Sequence, residues 1–228
     1  MKLFFLLLKR DILCLMRSKG AIAVTLSLSL LSLLVVTLVV RDFLQCSQRD
    51  SGLSAGFLYP LYLFVSSCFF QHFALAEGSD CAIVGLLLSP AAPSLVFLSR
   101  FFCNFFALSC LNLLLMSAYF IALNSPFGPF PLDFALLVVI FSAAIASLGT
   151  FLSYLLVERG GWGGGVLIFS LSVSSLFLPP MLCALAITGD WAEQGRISYF
   201  DSRFILLCAY DTLSLYLFSV LFDRLSFD

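Results

Sequence analysis

Charge is what this sequence has least of. Of its 228 residues, 11% are charged, against about a quarter in an ordinary soluble domain. The few charges nearly cancel, with 12 basic and 13 acidic residues, so there is no basic stripe for a phosphate backbone and no nucleic-acid partner is expected. Histidine occurs once, at His72, which excludes a histidine-rich metal centre. The chain has no GxxxxGK followed by Ser or Thr, no GxSxG and no HExxH. It therefore encodes no phosphate cradle, no nucleophile elbow and no zinc-protease helix. The expectation is a protein that is not an enzyme, binds no cofactor of its own and draws any energy from a separate subunit. What the chain does contain is apolar: 61% hydrophobic residues, with 26 phenylalanines. A soluble fold of this length could not hide that much apolar surface, so the natural solvent is a bilayer.

A crossing needs about 20 mostly apolar residues to cover a hydrocarbon core of about 30 Å. Six runs qualify, at about 21–40, 53–76, 101–123, 134–157, 165–188 and 204–222. They do not alternate as barrel strands would, so they must satisfy their backbone as helices. The fold class read from this pattern is an all-α membrane protein, one domain over 1–228 with six transmembrane helices. The connections are short; Asn124 to Asp133 reads NSPFGPFPLD, a stiff turn with three prolines and a glycine. The run Gly160 to Gly165, broken only by Trp162, follows no strand and reads as a loop of close backbone approach.

Lys2, Lys9, Arg10, Arg17 and Lys19 precede the first run, which sets the N-terminus in the cytoplasm, and six crossings return the C-terminus there. As a helix, the first 19 residues place Phe4, Leu7, Leu8 and Leu15 on one side and Lys9, Arg10 and Arg17 largely off it. That is the pattern of an interfacial helix lying flat, although Asp11 falls on its apolar side. The eight cysteines lie mostly within the runs and read as small apolar residues. Asp211 sits near the middle of the sixth run, where a carboxylate costs roughly 2.5–3.5 kcal/mol and should face the bundle. Asn112, at comparable depth in the third run, can hydrogen-bond to it, which makes the pair structural glue; the alternatives are a transport or gating residue and a sixth span that is shifted or broken. Ser142, Ala143, Ala146 and Gly149 share one side of the fourth run and suit close helix packing.

The connection between the second and third runs carries the most information. Glu77-Gly78-Ser79-Asp80 opens it, with the acids expected at a helix start, and Leu86-Leu87-Leu88-Ser89-Pro90 closes a short apolar helix. Too short to cross, such a helix at the inner surface can dock into a groove on a cytoplasmic partner.

Two strings then resemble a family. Glu77-Gly78-Ser79 followed by Leu86-Leu87-Leu88-Ser89-Pro90 is similar to the inner loop of the CcmB family, the haem exporter protein B of bacterial cytochrome c maturation. Gly149-Thr150, then Arg159-Gly160-Gly161, then an apolar run reaching Leu178-Pro179 resembles a second segment of that family. The resemblance implies an ABC-type permease subunit of the bacterial inner membrane, with Glu77 to Pro90 coupling it to a separate CcmA-like ABC ATPase. It also implies a CcmC-like haem-handling subunit, a small CcmD-like subunit and a haem chaperone, with haem as cargo and not as a bound cofactor. An ABC exporter subunit for another apolar cargo and a non-transporting membrane scaffold are the alternatives to that function.

Overall fold

The computed structural model describes residues 2–46, 56–79, 92–123, 132–158, 164–194 and 201–225. Among them are seven helices: α1 (Lys2–Arg17), α2 (Lys19–Cys46), α3 (Leu58–Ser79), α4 (Pro93–Ala122), α5 (Leu132–Glu158), α6 (Gly164–Gln194) and α7 (Ser202–Leu225). Over their described residues α2, α4, α5 and α7 are each long and apolar enough to cross a membrane. α3 and α6 run 22 and 31 residues, and their described apolar stretches are Leu58–Gln71 and Leu176–Trp191. All-helical architecture thus holds, and among the described residues four of the six expected spans reach full crossing length.

The helix ends follow local chemistry. α4 starts eight residues before the apolar run, because Pro93 stands in its first turn, where the missing N–H costs nothing. α3 starts five residues later than expected and carries Pro60 in its first turn for the same reason. α6 runs past Thr188 through Trp191, although Gly189 and Asp190 look like the start of a polar loop. Burial of Trp191 against the Phe134 ring, 5.2 Å between centroids, holds that last stretch to the bundle. α1 passes into α2 through a single non-helical residue, Ser18, whose amide still bonds the Cys14 carbonyl.

α5 is the axis around which the bundle is built. It packs against α3, α4, α6 and α7. Across a membrane-length window, 78% of α5 is buried, against 17% in both α2 and α7. Small residues on α5, among them Ala144, Ala146, Ser142 and Gly149, let four neighbours come close. The pairing fixes directions. Asn104 meets Thr150 and Asn112 meets Ser142, so α4 is antiparallel to α5. Tyr59 meets Phe141 and Phe70 meets Gly149, so α3 is parallel to it. Ser147–Ser214 and Phe151–Phe218 set α7 parallel as well.

The exterior is the inverse of a soluble protein's. α2 buries one narrow stripe, Thr25, Ser29, Leu33 and Val40, and leaves Leu30, Leu31, Leu34 and Leu38 exposed. Its hydroxyls at Thr25, Ser29 and Ser32 bond only to its own backbone carbonyls, which hides them from an apolar solvent. α7 likewise exposes Ile205, Leu213 and Tyr216. Such a surface is stable only where hydrocarbon covers it.

α1 docks on α4, with Phe4 edge-on to Phe102. The side expected to lie on the membrane surface thus faces a neighbouring helix, and this explains Asp11. Its carboxylate accepts a hydrogen bond from Ser99 of α4 and lies near Arg100 and Arg10. Phe5, Ile12 and Met16 form a second exposed apolar stripe on α1. Burial raises the Asp11 carboxyl above the ordinary carboxylate range, while the Ser99 bond and the two arginines pull it back less. The native state therefore holds this proton to higher pH than the unfolded chain does. Its stabilisation is complete below the ordinary carboxylate range and is lost as pH rises through the raised native value. Asp11→Asn keeps the acceptor for Ser99 and removes the ionisation. Its melting temperature, relative to wild type, should climb as pH is raised through that window. A difference that stays constant with pH would contradict the assignment.

Candidate functional site

The residues singled out by sequence fall into three groups. Glu77, Gly78 and Ser79 form the last turn of α3. Glu77 therefore lies at a helix C-terminus, where the helix dipole opposes a negative charge, and not at a helix start as expected. Asp80, Leu86, Leu87, Leu88, Ser89 and Pro90 lie outside the described residues, as do Arg159, Gly160 and Gly161. His72 lies within α3.

Gly149 and Thr150 are side by side on α5 and do different things. A methyl group at Gly149 would run into the ring of Phe70, which is only 2% exposed itself. Gly149 is thus the point where α3 and α5 touch backbone to ring. Thr150 turns toward α4: its Oγ1 donates to the Ala146 carbonyl at 2.6 Å and accepts from Asn104 Nδ2 at 2.9 Å. Asn104 has no place in the sequence expectations. The signal that could have found it is an amide in an otherwise apolar run, one that needs a partner.

The expected pair of Asp211 and Asn112 does not form. Asn112 Nδ2 donates instead to Ser142 Oγ at 2.9 Å, and that hydroxyl donates to the Val138 carbonyl at 2.7 Å. Asp211 Oδ1 is buried without a hydrogen-bond partner. The glue on α7 comes one turn later, where Ser214 and Ser147 share a hydrogen bond of 2.9 Å. Depth along two helices was legible in the sequence; which way each helix is rotated about its axis was not.

Another tie was not anticipated at all. α6 contains Pro179 and Pro180 within the helix. Pro180 has no N–H to give to the carbonyl four residues back, at Leu176. Tyr210 of α7 supplies the missing donor, its hydroxyl lying 2.7 Å from that carbonyl. A bundle in lipid must re-satisfy such a carbonyl from a neighbour, and here the neighbour is the residue beside Asp211.

No protein-family model, curated protein or solved structure matches this chain.

Together these residues make a braced interior. Ties run from α5 to α4 through Asn104 and Asn112, from α5 to α7 through Ser147, from α6 to α7 through Tyr210, and from α3 to α6 through Tyr59 and Thr188 at 2.6 Å. Arg203 and Asp190, an ion pair of 2.7 Å, close the α6–α7 hairpin where both groups are half exposed.

Two outcomes check this geometry. Gly149→Ala should lower stability by about 1–3 kcal/mol through overpacking against Phe70. Gly189→Ala, at a position with open space around it, should be neutral or stabilising by up to about 1 kcal/mol. Denaturant or thermal unfolding in detergent reads both. Tyr210→Phe should cost about 1 kcal/mol by orphaning the Leu176 carbonyl. In a Pro180→Ala background, which restores the helix's own donor, the same change should cost close to nothing. Equal losses in the two backgrounds would refute the proline–tyrosine link.

Proposed function

We propose that this chain is the permease subunit of an ABC-type complex for haem delivery in bacterial cytochrome c maturation, driven by a separate ATPase. In this reading α2 to α7 each cross the inner membrane and α1 lies at its inner surface. Both termini are cytoplasmic, and a CcmA-like ATPase grips the segment between α3 and α4. A CcmC-like subunit, a CcmD-like subunit and a haem chaperone complete the assembly. Haem is cargo of the complex.

The observation that carries the reading is the string Glu77-Gly78-Ser79 with Leu86-Leu87-Leu88-Ser89-Pro90, which begins in the last turn of α3 and continues in the sequence joining it to the antiparallel α4. Its place in the bundle suits coupling. α3 ends and α4 begins at the end where α1 packs, the end that also carries Lys9, Arg10 and Arg17. Cytoplasmic loops favour such basic residues. A force applied to residues 80–91 would reach α3 and α4 together, and both bear on α5. The second string contributes Gly149, whose missing side chain sets the α3–α5 contact.

Purification of the membrane complex with identification of its subunits tests the proposal. An ABC ATPase should co-purify, together with a haem-handling membrane subunit. Placing Asp at Leu86, Leu87 and Leu88 should release the ATPase while leaving the bundle in the membrane. A chain that is fully active alone, or an ATPase that stays bound and equally active after those substitutions, would overturn it.

A further inference from the structure

α7 meets the bundle along one stripe. Leu207, Ser214, Phe218 and Phe222 are all buried, and Asp211 occupies the helical position between the first two. Two contacts fix what lies opposite. Ser214 bonds Ser147 of α5 at 2.9 Å, and Phe218 stacks on Phe151 of α5 at 4.5 Å. The two helices run parallel, so one turn earlier Asp211 comes level with Ala144, which is fully buried. The stripe thus draws a carboxyl into the contact between α7 and α5, at a level where α5 offers only a methyl group.

Nothing described there answers a charge. Asp211 Oδ1 is buried and has no hydrogen-bond partner. The neighbouring hydroxyls are committed elsewhere. Tyr210 bonds the Leu176 carbonyl at 2.7 Å. Ser147 and Ser214 bond each other, and each also lies 2.9–3.0 Å from a carbonyl of its own helix, at Ala144 and at Asp211. The helices packed against α7 are α4, α5 and α6. Over residues 101–123, 134–157 and 164–189 they contain no Asp, Glu, Lys or Arg. Their titratable groups in those stretches are the thiols of Cys103, Cys110 and Cys183 and the phenols of Tyr119 and Tyr154. On α7 itself Cys208 and Tyr210 stand beside Asp211, and Arg203, two turns before it, is paired with Asp190. Asp211 lies nine residues from the start of the apolar span Ser202–Arg224 and thirteen from its end, roughly 14 and 20 Å at the helical rise. Its side chain is too short to carry a charge to water over either distance.

An ionised carboxylate only accepts hydrogen bonds, and in hydrocarbon it needs donors or a cation around it. The neutral acid needs neither. We propose that Asp211 is a proton-binding site: its carboxyl holds a proton within the bundle, on a side chain that an apolar reagent in the bilayer can reach. Access follows from its position. Oδ1 is covered, but the residue as a whole is only part-buried, on a helix that leaves most of its span open to lipid. Loss of the proton would leave a bare charge in the α5–α7 contact, so proton binding and the seating of α7 are linked. This inference is independent of the cargo and of the ATPase.

Dicyclohexylcarbodiimide tests it on the full chain in lipid vesicles. The reagent partitions into hydrocarbon and reacts with a protonated carboxyl. The acid's proton passes to a carbodiimide nitrogen, the carboxyl oxygen bonds the central carbon, and the O-acylurea rearranges to a stable N-acylurea. Nothing leaves and no co-reactant is needed. Peptide mass spectrometry should find this adduct severalfold faster at Asp211 than at the half-exposed Asp190. A water-soluble carbodiimide with glycine amide should reverse that order. Asp211 left unmodified by the apolar reagent, or taken by the water-soluble one as fast as Asp190, would overturn the proposal. Both readings use the natural chain, so no variant has to fold. The infrared carbonyl band of protonated carboxyl groups gives a second reading, and it should weaken in Asp211→Asn. An unchanged band in the assembled variant would overturn the proposal as well.

Discussion

Hydrocarbon offers no partner to a polar group, and every donor or acceptor drawn into this bundle has to be answered from within it. The backbone meets that demand by becoming helical almost everywhere it is described. The side chains meet it across helices, and α5 is where most of those answers converge. Asn104, Asn112 and Ser214 reach α5 from two different neighbours. Where a proline breaks the helix's own ladder, a tyrosine from next door restores the bond.

That convergence requires α5 to be thin. A helix surrounded by four others cannot carry long side chains on every face, and alanine, serine and glycine recur along it between Ala135 and Thr150. The peripheral helices show the opposite composition for the opposite reason. α2 and α7 bury little of their length, so leucine and valine cover much of them, and the hydroxyls of α2 at Thr25, Ser29 and Ser32 bond its own backbone. Close packing at the centre and apolar bulk at the rim are one solution to one solvent.

The two ends of the bundle differ in kind. At one end Tyr59, Tyr119, Phe120, Phe134 and Trp191 form an aromatic plug with neighbouring ring centroids 5.2–6.4 Å apart, edge-to-face except for the tilted Phe134–Trp191 pair. At the other, charged groups bind helices together: Asp11 to Ser99, and Asp223 to the backbone amide of Ser94 at the start of α4. One end is thus closed by packed rings, the other by polar and charged contacts.

Length and polarity are properties of a stretch of chain, so the sequence by itself determined that this protein is helical and built for a bilayer. It also located most helices to within a few residues. It set Asp211 and Asn112 at a common depth. Rotation about a helix axis and the choice of neighbour are not properties of a stretch. Only the tertiary structure could turn Asn112 toward Ser142, leave Asp211 without it, set Asp11 against Ser99 and bring Tyr210 to the carbonyl that Pro180 abandons. The physical reason is that a hydrogen bond is decided by a few ångströms and one direction, and both arise from packing among helices distant in sequence.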